Sequence, residues 1–193
     1  MIKKIVLDKI ASVTKNIPIG ATVIVGSEIN AVEGAVIVVK VLEDKRIYNQ
    51  LELVTGRFST LKKNDIVCVA LGNRQALKGF VGEVPKTLAV GDEINILNLG
   101  GVAGICISEN VKEVGQALRV KVMGAVIENG KPVTIKDHRL FNEQDTLGKT
   151  VPLILVSGTC MNVGKTSVAV EIIKHATRHN FKIGAAKLAG IAT

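Results

Sequence analysis

The densest chemistry in the chain lies at residues 158–167, Gly-Thr-Cys-Met-Asn-Val-Gly-Lys-Thr-Ser. A glycine turn that leads into Gly-Lys-Thr at the start of a helix can cradle phosphate. Successive backbone N–H groups wrap the anion, and the positive end of the helix points at it. Glycines let the backbone approach without a Cβ in the way. In such a loop the lysine reaches the β- and γ-phosphates, and the next hydroxyl coordinates Mg²⁺. The expected nucleotide-binding residues are Gly158, Thr159, Asn162, Val163, Gly164, Lys165, Thr166 and Ser167. Lys165 is also a catalytic candidate, and Thr166 is the expected metal ligand. ATP or GTP with Mg²⁺ is the expected cofactor.

The flanking sequence supplies the elements such a loop needs. An apolar run, Val-Pro-Leu-Ile-Leu-Val, precedes it and reads as a buried strand. Behind it the period changes to 3.6, with Ala169, Ile172, Ile173 and Ala176 on one helix face and Asn180 as the stop signal. Residues 181–190, Phe-Lys-Ile-Gly-Ala-Ala-Lys-Leu-Ala-Gly, return to strand character. Residues 153–190 therefore read as one β-loop-α-β unit, the opening part of a P-loop NTPase domain.

The glycine pattern is one place off the usual GxxxxGK[ST]: the first glycine is Gly158, and Thr159 follows it. With the strand before it, the helix after it and Lys187 in Ala-Ala-Lys-Leu, this segment resembles the dethiobiotin synthetase branch of P-loop proteins. That branch belongs to the group holding MinD-like ATPases and cobyrinic acid amidating enzymes. The resemblance covers residues 153–193 only. It implies that Lys187 is a second catalytic residue, facing the substrate and the transferred phosphate; the bland alternative is an ordinary strand-end lysine. Two positions depart from the family. Leu188 stands in place of the proline of its Lys-Pro-Val motif, and Cys160 stands where an aspartate near the metal is usual.

The resemblance implies an ATP-dependent enzyme that activates a small-molecule carboxylate or carbamate by phosphorylation. A polynucleotide or small-molecule kinase is one alternative. A non-enzymatic interaction module with a nucleotide switch or a relic loop is another. Phosphoryl transfer also needs a second acidic ligand and a group that positions the nucleophile. After Thr166 the only carboxylate is Glu171, roughly 140° around the helix from it. A single β-α-β unit cannot complete a doubly wound sheet. Completion is expected from chain beyond Thr193, from self-association as a homo-oligomer, or from a partner; otherwise the unit packs on the rest of the chain and only binds phosphate.

Residues 1–148 read as a β-rich, barrel- or sandwich-like domain that recognises substrate or partner. Short apolar runs recur between turn signals, among them 20–25, 35–42, 65–71, 80–84, 92–99, 104–108 and 118–127. Asn129-Gly130 is a hairpin signal, and 111–118 has room for one helical turn. Two segments echo each other, Leu61 to Gly72 and Leu88 to Gly100, each with an aspartate four residues after the leucine. The polar stretch 142–152 marks the boundary, and 149–193 is the P-loop portion. The expected fold class is thus α+β multidomain: an all-β domain followed by an incomplete P-loop α/β unit.

Composition narrows the partners. Aromatic residues are 3% of the 193 residues, with no tryptophan, so a base-stacking surface is poorly supplied and nucleic acid is not an expected partner. Arg57, Lys62, Lys63, Arg74 and Lys78 read as solvated turn charges. The net charge is +8, and residues 151–193 concentrate it: Lys165, Lys174, Arg178, Lys182 and Lys187 against Glu171 alone. That suits an anion site. Apolar runs are strand length, short of the ~20 residues a membrane helix needs. Cys68, Cys106 and Cys160 form no disulfide or metal pattern, which points to a reducing cytoplasm. Cys160, beside Lys165, is a candidate reactive thiol. His175 and His179 share a helix face at metal-ligand spacing but have no third ligand in view. The 193-residue chain is expected to show no appreciable ATPase activity; turnover that disappears in Lys165→Ala would overturn this.

Overall fold

The computed structural model describes residues 2–76, 79–142, 144–146, 148–159 and 163–186. Lys78, Cys160, Met161, Asn162, Lys187 and Leu188 lie outside them. The chain divides into two compact units between Leu140 and Phe141.

Among the described residues the strands are β1 (Ile2–Val6), β2 (Lys9–Ile10), β3 (Thr22–Gly26), β4 (Val36–Val41), β5 (Gln50–Glu52), β6 (Phe58–Thr60), β7 (Ile66–Leu71), β8 (Phe80–Glu83), β9 (Glu93–Ile96), β10 (Val102–Glu109), β11 (Leu118–Glu128) and β12 (Lys131–Pro132). Two α-helices, α1 (Val111–Val114) and α2 (Lys165–Arg178), and two 3-10 turns, Ser12–Thr14 and Ile135–His138, complete them. All strands but β5 and β6 join one ten-stranded mixed sheet; those two form a separate hairpin.

The first unit is organised by β4 and β7. They pair antiparallel from Val36↔Ala70 to Lys40↔Ile66. β7 is a continuous apolar run and β4 is one but for Lys40, the pattern of strands buried on both faces. Alternation sends their side chains to two different cores. Ile37, Val39 and Val41 join Val67, Val69 and Leu71 in one; Val36, Val38 and Cys68 enter the other.

The pairings around the first core close into a ring. β11 pairs β4, β4 pairs β7, β7 pairs β10 in parallel, β10 pairs β9, and β9 returns to β11. Ile94 and Ile96, Ala103, and Leu118, Val120 and Val122 fill it from the remaining walls. A ring this narrow has room for side chains only, so its interior is core and not a channel. The second core lies on the other face of β4, where β3 pairs β1 and the later part of β11, and β2 pairs β7 in parallel.

β11 serves both cores because it bends. Its register against β4 shifts between Val122 and Gly124, a bulge. Gly124 has φ 150°, and a Cβ there would lie 2.7 Å from the Gly26 carbonyl oxygen. Past this point Ala125 and Val126 pair with β3.

Local chemistry sets the turns. Asn129 (φ 51°) and Gly130 (φ 78°) both take left-handed values, the two-residue hairpin turn that Asn-Gly favours. The two echoing segments share one turn: the Asp65 carboxylate accepts from the Lys62 N–H at 2.7 Å, and that of Asp92 from the Ala89 N–H at 2.8 Å. A left-handed Asn64 or Gly91 precedes each aspartate. Thr134 and Asp137 repeat the bond without that left-handed residue, so the turn alone does not mark a duplication.

The second unit departs from expectation. The chain is mostly β, and its described residues contain no α/β P-loop unit, so the α+β multidomain assignment is corrected. Residues 151–158 and 181–186 form no strand. The physical reason is the ladder. An apolar run becomes a strand only with a hydrogen-bonded neighbour, and no described segment pairs with Leu153, Ile154 and Leu155, which stay 66–79% exposed. The helix does form. α2 ends in a Schellman arrangement: Asn180 is left-handed at φ 61°, its N–H donates to the Thr177 carbonyl, and the Phe181 N–H donates to that of Ala176. No α2 residue is buried, although Ala169, Ile172, Ile173 and Ala176 are less exposed than the polar face.

Gly124→Ala is expected to lower stability by about 1–3 kcal/mol, from the left-handed φ and the contact with the Gly26 carbonyl. Gly20→Ala, with nothing within 4 Å of the added carbon, is the near-neutral control. Urea midpoints of the two variants test the difference.

Candidate functional site

α2 begins at Lys165, directly after Gly164, which has φ 93° and receives no side-chain cap. No acidic residue stands in its first turn. Thr166 and Ser167 are exposed, and Lys165 is half-buried. A Cβ on Gly158 would lie 2.6 Å from Val163 Cγ2 and 3.2–3.3 Å from Lys165 Cγ and Cδ. The two glycines thus act differently. Gly158 permits a close approach, whereas Gly164 supplies a backbone conformation that L side chains rarely adopt.

The structure brings Gly158, Val163, Gly164 and Lys165 together, with Thr159, Thr166 and Ser167 adjacent in sequence. Asn162 and Lys187 lie outside the described residues. Glu171 accepts a hydrogen bond from Lys174 Nζ at 2.7 Å on the helix surface. The described residues contain no group of three or more His, Cys, Asp or Glu that could hold a metal, so His175 and His179 gain no third ligand among them.

A second cluster sits in the first unit. Lys45 and Tyr48 lie on the connection between β4 and β5, and Tyr48 has φ 54°. The Tyr48 and Phe80 rings meet edge to face, centroids 5.5 Å apart. Lys45 Nζ lies 4.7 Å from the Phe80 centroid and 5.6 Å from that of Tyr48. That nitrogen is shielded from solvent and has no hydrogen-bond partner among the described residues. The ring faces attract it, a cation–π contact, but replace none of its lost hydration bonds.

Pairing assembles this corner. β8 and β10 run antiparallel with Phe80 opposite Glu109 and Gly82 opposite Cys106. Arg74 bridges to Gly82 through backbone hydrogen bonds. Its guanidinium donates to the Tyr48 hydroxyl at 3.2 Å and to the Leu97 carbonyl, and lies 5.8 Å from the Tyr48 ring centroid. The Glu109 carboxylate accepts from the Ala117 N–H at 2.7 Å and lies 3.9 Å from Cys106 Sγ. Burial pushes the Lys45 ammonium down to about 8, opposed by the charges of Glu109, Cys106 and Glu43. Burial, then Glu109, pushes the Cys106 thiol up, so its sulfur holds its proton. Cys68, enclosed in the second core, is pushed up to about 12 by burial.

Sequence reasoning missed this corner. It read Arg74 as a solvated turn charge, whereas Arg74 is half-buried and bound at both ends of the cluster. Arg57, Lys62 and Lys63 are exposed. No local spacing links residues 45, 48, 74, 80, 106 and 109. The one available signal was the scarcity of aromatics, which makes two of them near basic residues worth attention.

No family model, curated protein or solved structure matches the chain. No helix among the described residues is long and apolar enough to cross a membrane.

The folded pKa of Lys45 lies below its unfolded value of 10.5, so the native state binds fewer protons between about pH 8 and 10.5. The Lys45 contribution to stability is therefore unfavourable at pH 7 and is relieved as pH rises through that window. Lys45→Met is expected to raise Tm at pH 7, and its advantage over the parent chain is expected to shrink by pH 10. Calorimetric Tm values across this range check it; an advantage independent of pH would refute it.

Proposed function

We propose that the 158–167 loop binds the phosphates of a nucleotide, ATP or GTP, together with Mg²⁺. The close approach of Gly158 to Val163 and the Lys165 stem is the observation that carries this reading. It is the feature expected of a backbone that folds around an anion, and a side chain at 158 would fill it. The N-terminus of α2, which starts from a glycine and has no acid in its first turn, adds a positive pole at the same place. Lys165 would hold the β- and γ-phosphates, and the exposed Thr166 hydroxyl would serve the metal. Bound Mg²⁺ would neutralise phosphate charge there. The reading rests on the loop and the helix N-terminus and not on flanking strands.

This site would serve ATP-dependent activation of a small carboxylate or carbamate, as the likeness of residues 153–193 to dethiobiotin synthetases implies. A switch that binds nucleotide without turnover is the second reading, favoured by the engagement of Glu171 with Lys174.

Titration calorimetry of the 193-residue chain with ATP and Mg²⁺ tests the site. Lys165→Ala is expected to weaken binding about 10–100-fold, the worth of one hydrogen bond to a charged group. Gly158→Val is expected to abolish binding, and Thr166→Ala to remove its Mg²⁺ dependence. Equal affinity in the parent chain and Lys165→Ala would refute the reading.

A further inference from the structure

The Lys45 corner belongs to the first unit and has chemistry of its own. A lysine that only anchors a fold normally keeps its ammonium in water or against a carboxylate. Lys45 does neither. The residue is partly buried and its nitrogen is covered, over two aromatic rings. Neither Lys45 nor Arg74 takes part in an ion pair among the described residues. The carboxylates nearby are already engaged: Glu43 with Arg119, and Glu109 with the Ala117 N–H.

We propose that Lys45 is a carbonyl-capture site, whose ε-amine forms an imine with a small 2-oxo acid beside Tyr48, Phe80 and Arg74. Desolvation is the means by which proteins make lysine a nucleophile near neutral pH. The same burial keeps the neighbouring Cys106 sulfur protonated, so the amine is the nucleophile of the pair. Arg74, against the same Tyr48 ring, adds a second positive charge and favours an anionic carbonyl compound over a neutral one.

The step balances without an oxidant. The ammonium gives one proton to water. The amine lone pair then bonds the carbonyl carbon, and the carbonyl π pair moves to oxygen, which takes a proton. The carbinolamine loses its hydroxyl as water, and nitrogen releases its remaining extra proton. Amine and carbonyl thus become imine and water. The groups facing the amine are Glu109, Cys106 and Glu43, with Arg74 across the Tyr48 ring. Asp44, Arg46 and Ile47, beside Lys45 on the connection between β4 and β5, are exposed.

The test uses the full chain with limiting glyoxylate and sodium cyanoborohydride at pH 7.5, which reduces an imine to carboxymethyl-lysine. Peptide mass spectrometry then compares sites. Lys45 is expected to be modified at least about tenfold faster than the exposed Lys15 and Lys131, with a pH midpoint near 8. Equal or slower modification of Lys45 would overturn the proposal. Arg74→Gln, with its fold checked by thermal melting, is expected to lower the preference for glyoxylate over propanal at Lys45. An unchanged preference in the folded variant would overturn the oxo-acid assignment.

Discussion

The β4–β7 pair is the constraint on which the first unit depends. Two short strands carry residues buried on both faces, and their alternation builds two cores from one wall. Each fully buried valine or leucine contributes about 1.5–3 kcal/mol relative to exposure. The wall concentrates such residues, from Val36 to Val39 and from Val67 to Leu71. A slip of one residue between β4 and β7 would leave these faces apolar but misplace every partner strand. The ring to one side and the β1–β3 layer to the other are tied through this pair, directly or through β11.

β11 satisfies both cores with a single bend. Val120 and Val122 fill the ring, and after the bulge at Gly124 the chain reaches β3. The parallel contacts of β2 and β10 to β7 complete the wall. The Lys45 corner lies where this framework ends, around Phe80, Leu97, Val114 and Ala117. Those residues form a small apolar cluster of their own. A lysine laid on it loses water without gaining a carboxylate, and its lowered pKa follows from that position.

The second unit shows the opposite balance. Its helix has every local requirement: an apolar stripe, a glycine start and an Asn180 stop. Its flanking apolar runs lack hydrogen-bonded neighbours among the described residues. Helices satisfy their backbone internally, so α2 forms while 151–158 and 181–186 do not become strands. The close approach of Gly158 to Val163 and the Lys165 stem likewise stands without a flanking strand.

The sequence alone determined whatever depends on near neighbours. It marked the apolar runs that become β4 and β7, the Asn129-Gly130 hairpin, the aspartate turns at Asp65 and Asp92, and the extent of α2. It also marked Gly158 and Gly164 as positions where the backbone needs a glycine, one for a close approach and one for its φ of 93°. Tertiary structure decided the rest. Whether Leu153 to Leu155 become a strand depends on a partner elsewhere, and periodicity carries no information about partners. Lys45, Arg74, Phe80, Cys106 and Glu109 converge only through the register of β8 on β10 and the bridge from Arg74 to Gly82. An ammonium deprived of water arises from burial, which long-range packing imposes and local spacing cannot express.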